Sequence, residues 1–173
     1  MRVPLDCLDS LTTRETKMSV DALDARILDL FAAEPRVGVL EASRRLGVAR
    51  GTIQARLDRL QREGVVRGWG PAIDTTAIGY PVTAFATLQI EQGTGHTAVA
   101  EALAGIPEVL EVHTITGAED LWCRLVARSN ADLQRVIDQV VVVQGIQRAS
   151  TVIALAEQIP HRVLPLVHAA TRG

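Results

Sequence analysis

The residues with the clearest chemical pattern lie between Ala49 and Glu63. Ile53, Leu57 and Leu60 recur at i, i+4 and i+7, the signature of a helix with one buried stripe. With that stripe turned inward at roughly 100° per residue, Gly51, Ala55, Arg59 and Arg62 face outward and Thr52 and Gln54 lie on the flanks. Gly51 and Ala55 are small enough to let a helix backbone approach a groove wall. Arg50, Thr52 and Gln54 carry the donors and acceptors that read base edges in a DNA major groove. Arg56, Arg59 and Arg62 suit phosphates, which set position rather than sequence. With about four phosphate contacts per module, a dimer would give a log–log salt slope of about −7.

Other chemistries find little support. His96, His113, His161 and His168 lie far apart in sequence, without the spacing of a metal-binding helix motif. No nucleophile elbow, phosphate loop or dinucleotide fingerprint is present, so no catalytic residue, metal or cofactor is expected. Cys7 and Cys123 form no disulfide framework, and Cys123 in a strand-like run is expected to be a small buried apolar residue.

The elements that must hold the basic helix can be read around it. Asp21 is placed to cap a first helix carrying Leu23, Ile27, Leu30 and Phe31, which Pro35 ends. A second helix fits Val39 to Leu46 and turns at Gly47, and the third ends at Gly64. Three short helices with a glycine turn before the third match a helix-turn-helix. Val65 to Trp69 and Ala72 to Asp74 look extended and suit a wing or a linker, which Gly79-Tyr80-Pro81 closes.

The second half follows a different plan. Val82 to Ile90 alternates as a strand, and Val99, Leu103 and Ile106 suggest a helix. Val109 to Thr116 and Leu121 to Ala127 form a hairpin. Ser129 or Asn130 caps a helix that buries Leu133, Val136, Ile137, Val140 and Val141, and Ile146 to Leu155 is a last strand. The order βαββαβ is ferredoxin-like. The fold class is therefore α+β. A sheet with helices on one face needs cover on the other, commonly from a second subunit.

Charge follows the same division. Residues 18–70 hold nine Arg against seven Asp and Glu, a net of +2, whereas 71–173 hold six Arg against ten acids, a net of −4. A basic patch in a chain of net charge −2 points to a local anionic partner. No apolar run is long enough for a transmembrane helix, and residues 1–17 lack the apolar core of a signal peptide. A reduced, cytoplasmic protein is expected. Its domains are a flexible leader (1–18), a helix-turn-helix (19–66), a linker or strand (67–80), a βαββαβ domain (81–160) and a tail (161–173) that carries no clear pattern.

Three runs add a resemblance: L-D-A-R-I-L-D-L-F-A-A-E-P-R, R-R-L-G-V-A-R-G-T-I-Q-A-R-L-D-R-L-Q-R-E-G-V-V-R-G and A-I-D-T-T-A-I-G. They resemble the leucine-responsive and asparagine-responsive (Lrp/AsnC) regulators over about residues 20–160. The most specific pieces are R-L-x-R-L-x-x-x-G-V-V at Arg56 to Val66 and T-G-A-E-D-L at Thr116 to Leu121. The resemblance implies a winged helix-turn-helix followed by an effector-binding domain, and recognition of promoter DNA through Arg50, Thr52, Gln54, Arg56 and Arg59. It also implies a small effector, usually an amino acid, at Thr116, Gly117, Ala118, Glu119, Asp120 and Leu121. Trp122 stands where a smaller apolar residue is usual and would reshape that pocket. Backbone amides of such a turn could hold a carboxylate while Asp120 accepts a hydrogen bond from an ammonium group, and Glu119 beside it disfavours acidic ligands. A homodimer, assembling further to a tetramer or octamer, is the implied state.

Two further departures concern the DNA-binding half. Ala49 replaces the usual capping Ser, and Ala42-Ser43 replaces the commoner Leu-Ala. The competing reading is a siroheme decarboxylase, which resembles the same layout; His113 and Arg124 would serve it, but the basic helix would then have no purpose.

Overall fold

The computed structural model describes residues 20–91 and 93–172, so the expected leader lies outside the described residues. The chain forms two compact units. Among the described residues, one holds those up to Pro71 together with those from His161 onward, and the other runs from Ala72 to Pro160.

The first unit contains α1 (Ala22–Ala33), α2 (Val39–Leu46), α3 (Arg50–Arg62) and α6 (Leu164–Ala170). Asp21 caps α1 in a reciprocal capping box: its Oδ1 accepts from the Leu23 and Asp24 amides at 2.8 and 2.9 Å, and Asp24 Oδ2 accepts from the Asp21 amide at 3.0 Å. Gly47 ends α2 with a φ of 68°, left-handed backbone that glycine adopts at little cost. The core joins Ile27, Phe31, Ala42, Ile53 and Leu57, flanked by Leu23, Leu30, Val37, Val39, Leu46 and Val48. Each fully buried aliphatic side chain contributes roughly 1.5–3 kcal/mol. Ala42 is completely buried, and Ser43 beside it returns its hydroxyl to the Leu40 carbonyl at 2.8 Å.

The tail, patternless in sequence, forms a seven-residue helix, α6, that packs on α1. His168 Nε2 lies 2.9 Å from Asp29 Oδ1. Residues 67–74 enter no ladder among the described residues, and Trp69 meets Phe31 edge-on with ring centroids 5.4 Å apart.

The second unit contains β1 (Val82–Ile90), α4 (His96–Ala104), β2 (Val109–Thr114), β3 (Leu121–Ala127), α5 (Asn130–Val141) and β4 (Ile146–Ile153). The strands form one antiparallel sheet in the order β2-β3-β1-β4, the arrangement of a ferredoxin-like βαββαβ fold. One face packs Ala84, Ala86, Leu88, Leu121, Cys123 and Leu125 against Val99 and Leu103 of α4 and Leu133, Val136 and Val140 of α5. Ser129 caps α5 by accepting from the Asp132 amide at 3.0 Å. Glu108, nearly buried, is satisfied by Arg135 Nη2 at 2.6 Å.

Three sequence expectations need correcting here. Val141 is 40 % exposed, because one residue past Val140 rotates it roughly 100° off the buried stripe. β2 ends at Thr114 rather than Thr116, since the Ile115 amide already closes the turn on the Asp120 carbonyl at 3.0 Å. β4 stops at Ile153, and Leu155 is almost fully exposed.

Candidate nucleic-acid interface and effector turn

In α3 the residues that bury are Ile53, Leu57 and Leu60, as their spacing requires. Arg50, Gly51, Thr52, Gln54, Ala55 and Arg62 are exposed. Gly51 has open space where a side chain would stand, so nothing within the unit needs a glycine there. Behind the helix, Gly64 at φ 76° closes a Schellman turn: its amide donates to the Gln61 carbonyl at 3.0 Å, and the Val65 amide to the Leu60 carbonyl at 2.9 Å. At the front, Ala49 occupies the cap position with extended backbone and offers the first-turn amides no side-chain acceptor.

Arg56 and Arg59 are each tied to carboxylates in this structure while staying 27% and 31% exposed. Arg56 Nη1 donates to Asp21 Oδ2 at 2.5 Å and to Asp24 Oδ1 at 2.9 Å, and Arg59 Nη2 donates to Asp24 Oδ2 at 2.5 Å. These bonds raise both guanidinium pKa values, and the Arg56 bond holds the Asp21 carboxyl below its ordinary range. Arg59, placed outward by the helical wheel, is therefore turned toward α1.

The position that sequence reasoning passed over is Asp58. It is exposed on the same side of α3 as Gly51, Ala55 and Arg62, and its Oδ1 accepts from Gln54 Nε2 at 2.7 Å. Its place on the outward side of the helical wheel, seven residues after Gly51, is the sequence signal that marks it. Arg45 is also committed, to Glu34 at 2.5 Å and Glu41 at 3.0 Å, which raises its pKa. Among the described residues, Arg50, Arg62 and Arg67 have no carboxylate within ion-pair distance.

The stretch from Thr116 to Trp122 holds the turn that joins β2 to β3 and the first two residues of β3, with Gly117 at φ 135°. Thr116, Gly117 and Ala118 are exposed, Glu119 and Asp120 half-buried. Asp120 Oδ2 accepts from the Ile90 amide at 2.7 Å, and the Asp120 amide donates to the Leu88 carbonyl at 2.9 Å. This residue anchors the turn to the end of β1, so one of the two oxygens expected to meet an ammonium group is already engaged. Glu119 Oε2 is buried without a hydrogen-bond partner.

The two β3 residues that follow separate. Leu121 points into the helix-covered core, whereas Trp122 lies on the opposite sheet face, stacked on Phe85 with centroids 5.2 Å apart and near His113 at 5.5 Å. On that face His113 Nε2 and Arg124 Nη1 both approach Glu111, each at 3.6 Å. The pair nominated for the decarboxylase reading thus shares one acidic neighbour. Among the described residues no group of three or more His, Cys, Asp or Glu is placed to hold a metal ion.

These features can be set beside known proteins. Residues 20–67 match the winged helix-turn-helix DNA-binding domain, and residues 83–164 match the Lrp/AsnC ligand binding domain. An HTH-type transcriptional regulator of Pyrococcus abyssi is 33% identical over 136 residues, covering 78% of this chain and 85% of the relative. The structure of Escherichia coli AsnC superposes with a TM-score of 0.77 at 25% identity, covering 84% of this chain and 98% of that one. A Neisseria meningitidis transcriptional regulator in complex with L-Met has the same TM-score at 24% identity, covering 86% and 98%. With both halves matched in order and a relative aligned over most of its length, the chain belongs to the Lrp/AsnC family of transcriptional regulators.

Proposed function

We propose that this regulator reads operator DNA with the amino-terminal half of α3 and is controlled by a neutral amino acid bound at the Thr116–Trp122 turn. The observation that carries the DNA half is the run of exposed residues Arg50, Gly51, Thr52, Gln54 and Ala55, backed by a fully buried stripe. Arg50, Thr52 and Gln54 read base edges, and Arg62 with Arg67 contacts phosphates. Arg56 and Arg59, held by carboxylates, drop out of the phosphate count. About two contacts per module then remain, and a dimer has a salt slope of about −4 rather than −7.

Two recognition helices of a homodimer would enter successive major grooves about 10 base pairs apart. The dimer forms through the uncovered sheet face, where Phe85, Trp122 and Val152 are incompletely buried, and pairs further into a tetramer or octamer. Among the described residues no helix is long and apolar enough to cross a membrane, and we place the protein in the cytoplasm.

For the effector, the methionine carried by the Neisseria relative favours an uncharged side chain. Glu119 and Asp120 disfavour an acidic one. Backbone amides near Gly117 take the ligand carboxylate, and the remaining Asp120 oxygen takes its ammonium group. The test is a selection of bound duplexes from a randomised pool, repeated with Gln54→Ala. The variant should lose specific affinity more than non-specific affinity, and equal losses would place the reading face elsewhere. A thermal-shift screen of the twenty amino acids tests the effector: a ligand at 100 times its Kd stabilises by about 2.7 kcal/mol. No shift with any of them would leave the second unit an assembly module.

A further inference from the structure

Asp24 is a fully buried carboxylate in the DNA-binding unit. Oδ2 accepts from the Asp21 amide at 3.0 Å and from Arg59 Nη2 at 2.5 Å, and Oδ1 accepts from Arg56 Nη1 at 2.9 Å. One group thus both closes the start of α1 and grips α3 at two positions three residues apart. Positions i and i+3 share a side of a helix, so both grips act on the same flank of α3. The apolar stripe beneath α3 is held by forces without direction, which leave some freedom to roll. A two-point, charge-assisted fork supplies the direction.

We propose that Asp24 is a positioning residue for DNA recognition, which fixes the roll of α3 through Arg56 and Arg59. This rests on the reading that α3 enters the groove. The rival role for the same residues is distinct: Asp24 would only park two phosphate-binding arginines until DNA arrives. The two roles predict opposite signs for one substitution. Asp24→Asn keeps the shape and removes the charge. If the carboxylate positions α3, the variant misaligns the base-reading residues and gains no useful cation. If it parks them, the variant releases Arg59 and loosens Arg56, which Asp21 still holds, and non-specific binding tightens with a steeper salt dependence.

The experiment uses the full chain, a duplex selected by the wild type from a randomised pool, and a random-sequence duplex, with anisotropy titrations across a salt series. For Asp24→Asn we expect specific affinity to fall about tenfold or more, the loss of about one bidentate base contact. The random duplex and the salt slope should hardly change. Tighter binding to the random duplex with a steeper slope, or an unchanged ratio of specific to random affinity, overturns the proposal.

Should Asp24→Asn fail to fold, Arg59→Lys and Arg59→Gln carry the test. Lysine serves a phosphate well but cannot reproduce the guanidinium fork. Positioning predicts that both variants lose specificity alike, whereas preserved affinity and slope in Arg59→Lys alone would overturn it. A wild type that selects no sequence overturns the DNA reading and this proposal together. A wild type that selects while its variants keep the ratio overturns this proposal alone.

Discussion

Replacing Ala49 with Ser should stabilise the DNA-binding unit by about 1 kcal/mol, the usual worth of a side-chain cap over alanine. The structure gives the reason. Ala49 already has the extended backbone of a cap residue, φ −62° and ψ 143°, and the first turn of α3 receives no side-chain hydrogen bond. At the equivalent place on α1, Asp21 accepts from two amides, and on α5 Ser129 accepts from one. A hydroxyl at position 49 needs no backbone change to do the same for the Gly51 or Thr52 amide. For a domain of 60–100 residues, 1 kcal/mol raises Tm by about 4–8 °C. The chain has two tryptophans, and Trp69 packs on Phe31 in this unit whereas Trp122 stacks on Phe85 in the other. A Trp122→Phe background therefore lets fluorescence follow the DNA-binding unit alone. An unchanged or lowered Tm would refute the assignment of Ala49 as an uncapped helix start.

Further outcomes follow from other sites. Gly145→Ala should destabilise the second unit by well over the roughly 1–2 kcal/mol of a left-handed residue, since φ is 93° and a new Cβ would lie 2.4 Å from Thr94 Cγ2; a denaturant midpoint within error of wild type would contradict this. Cys123 is buried, and burial pushes its thiol up to about 11, so in a Cys7→Ser background it should resist a thiol reagent at pH 8 until the protein unfolds. The Asp21 carboxyl is held below its ordinary value of 3.8, first by its bond to Arg56. Its contribution is therefore present above pH 3.8 and lost as pH falls through the lowered value. Asn caps as well as Asp, so Asp21→Asn should be less stable than wild type at pH 7, with the gap closing below pH 3.8 in acid denaturation; a gap independent of pH would contradict this.

Periodicity made the local structure readable. The stripe Ile53, Leu57, Leu60 located α3, the alternation Val82 to Ile90 located β1, and Asp21 and Ser129 announced two helix starts. Partners across the chain were less legible. Nothing near Arg56 in sequence reveals that its guanidinium meets carboxylates 32 and 35 residues earlier, and the periodicity of α3 alone points Arg59 to solvent. In the turn, adjacency hid the opposite fates of Leu121 and Trp122, although strand alternation implies them. The tail escaped because Leu164, Val167 and His168 make too short a pattern to tell from chance, and what gives α6 a place is the side of α1 that it meets.

That meeting changes how the molecule can be dissected. The chain leaves the DNA-binding unit at Pro71 and re-enters it at His161, so the unit is assembled from both ends of the described sequence. A fragment stopped at Pro71, the natural choice for preparing a minimal DNA-binding piece, would lack α6 and strip Asp29 of His168. Binding measured on such a fragment would describe an incomplete unit, and a minimal DNA-binding piece needs the segment from His161 to Arg172 joined to residues 20–71.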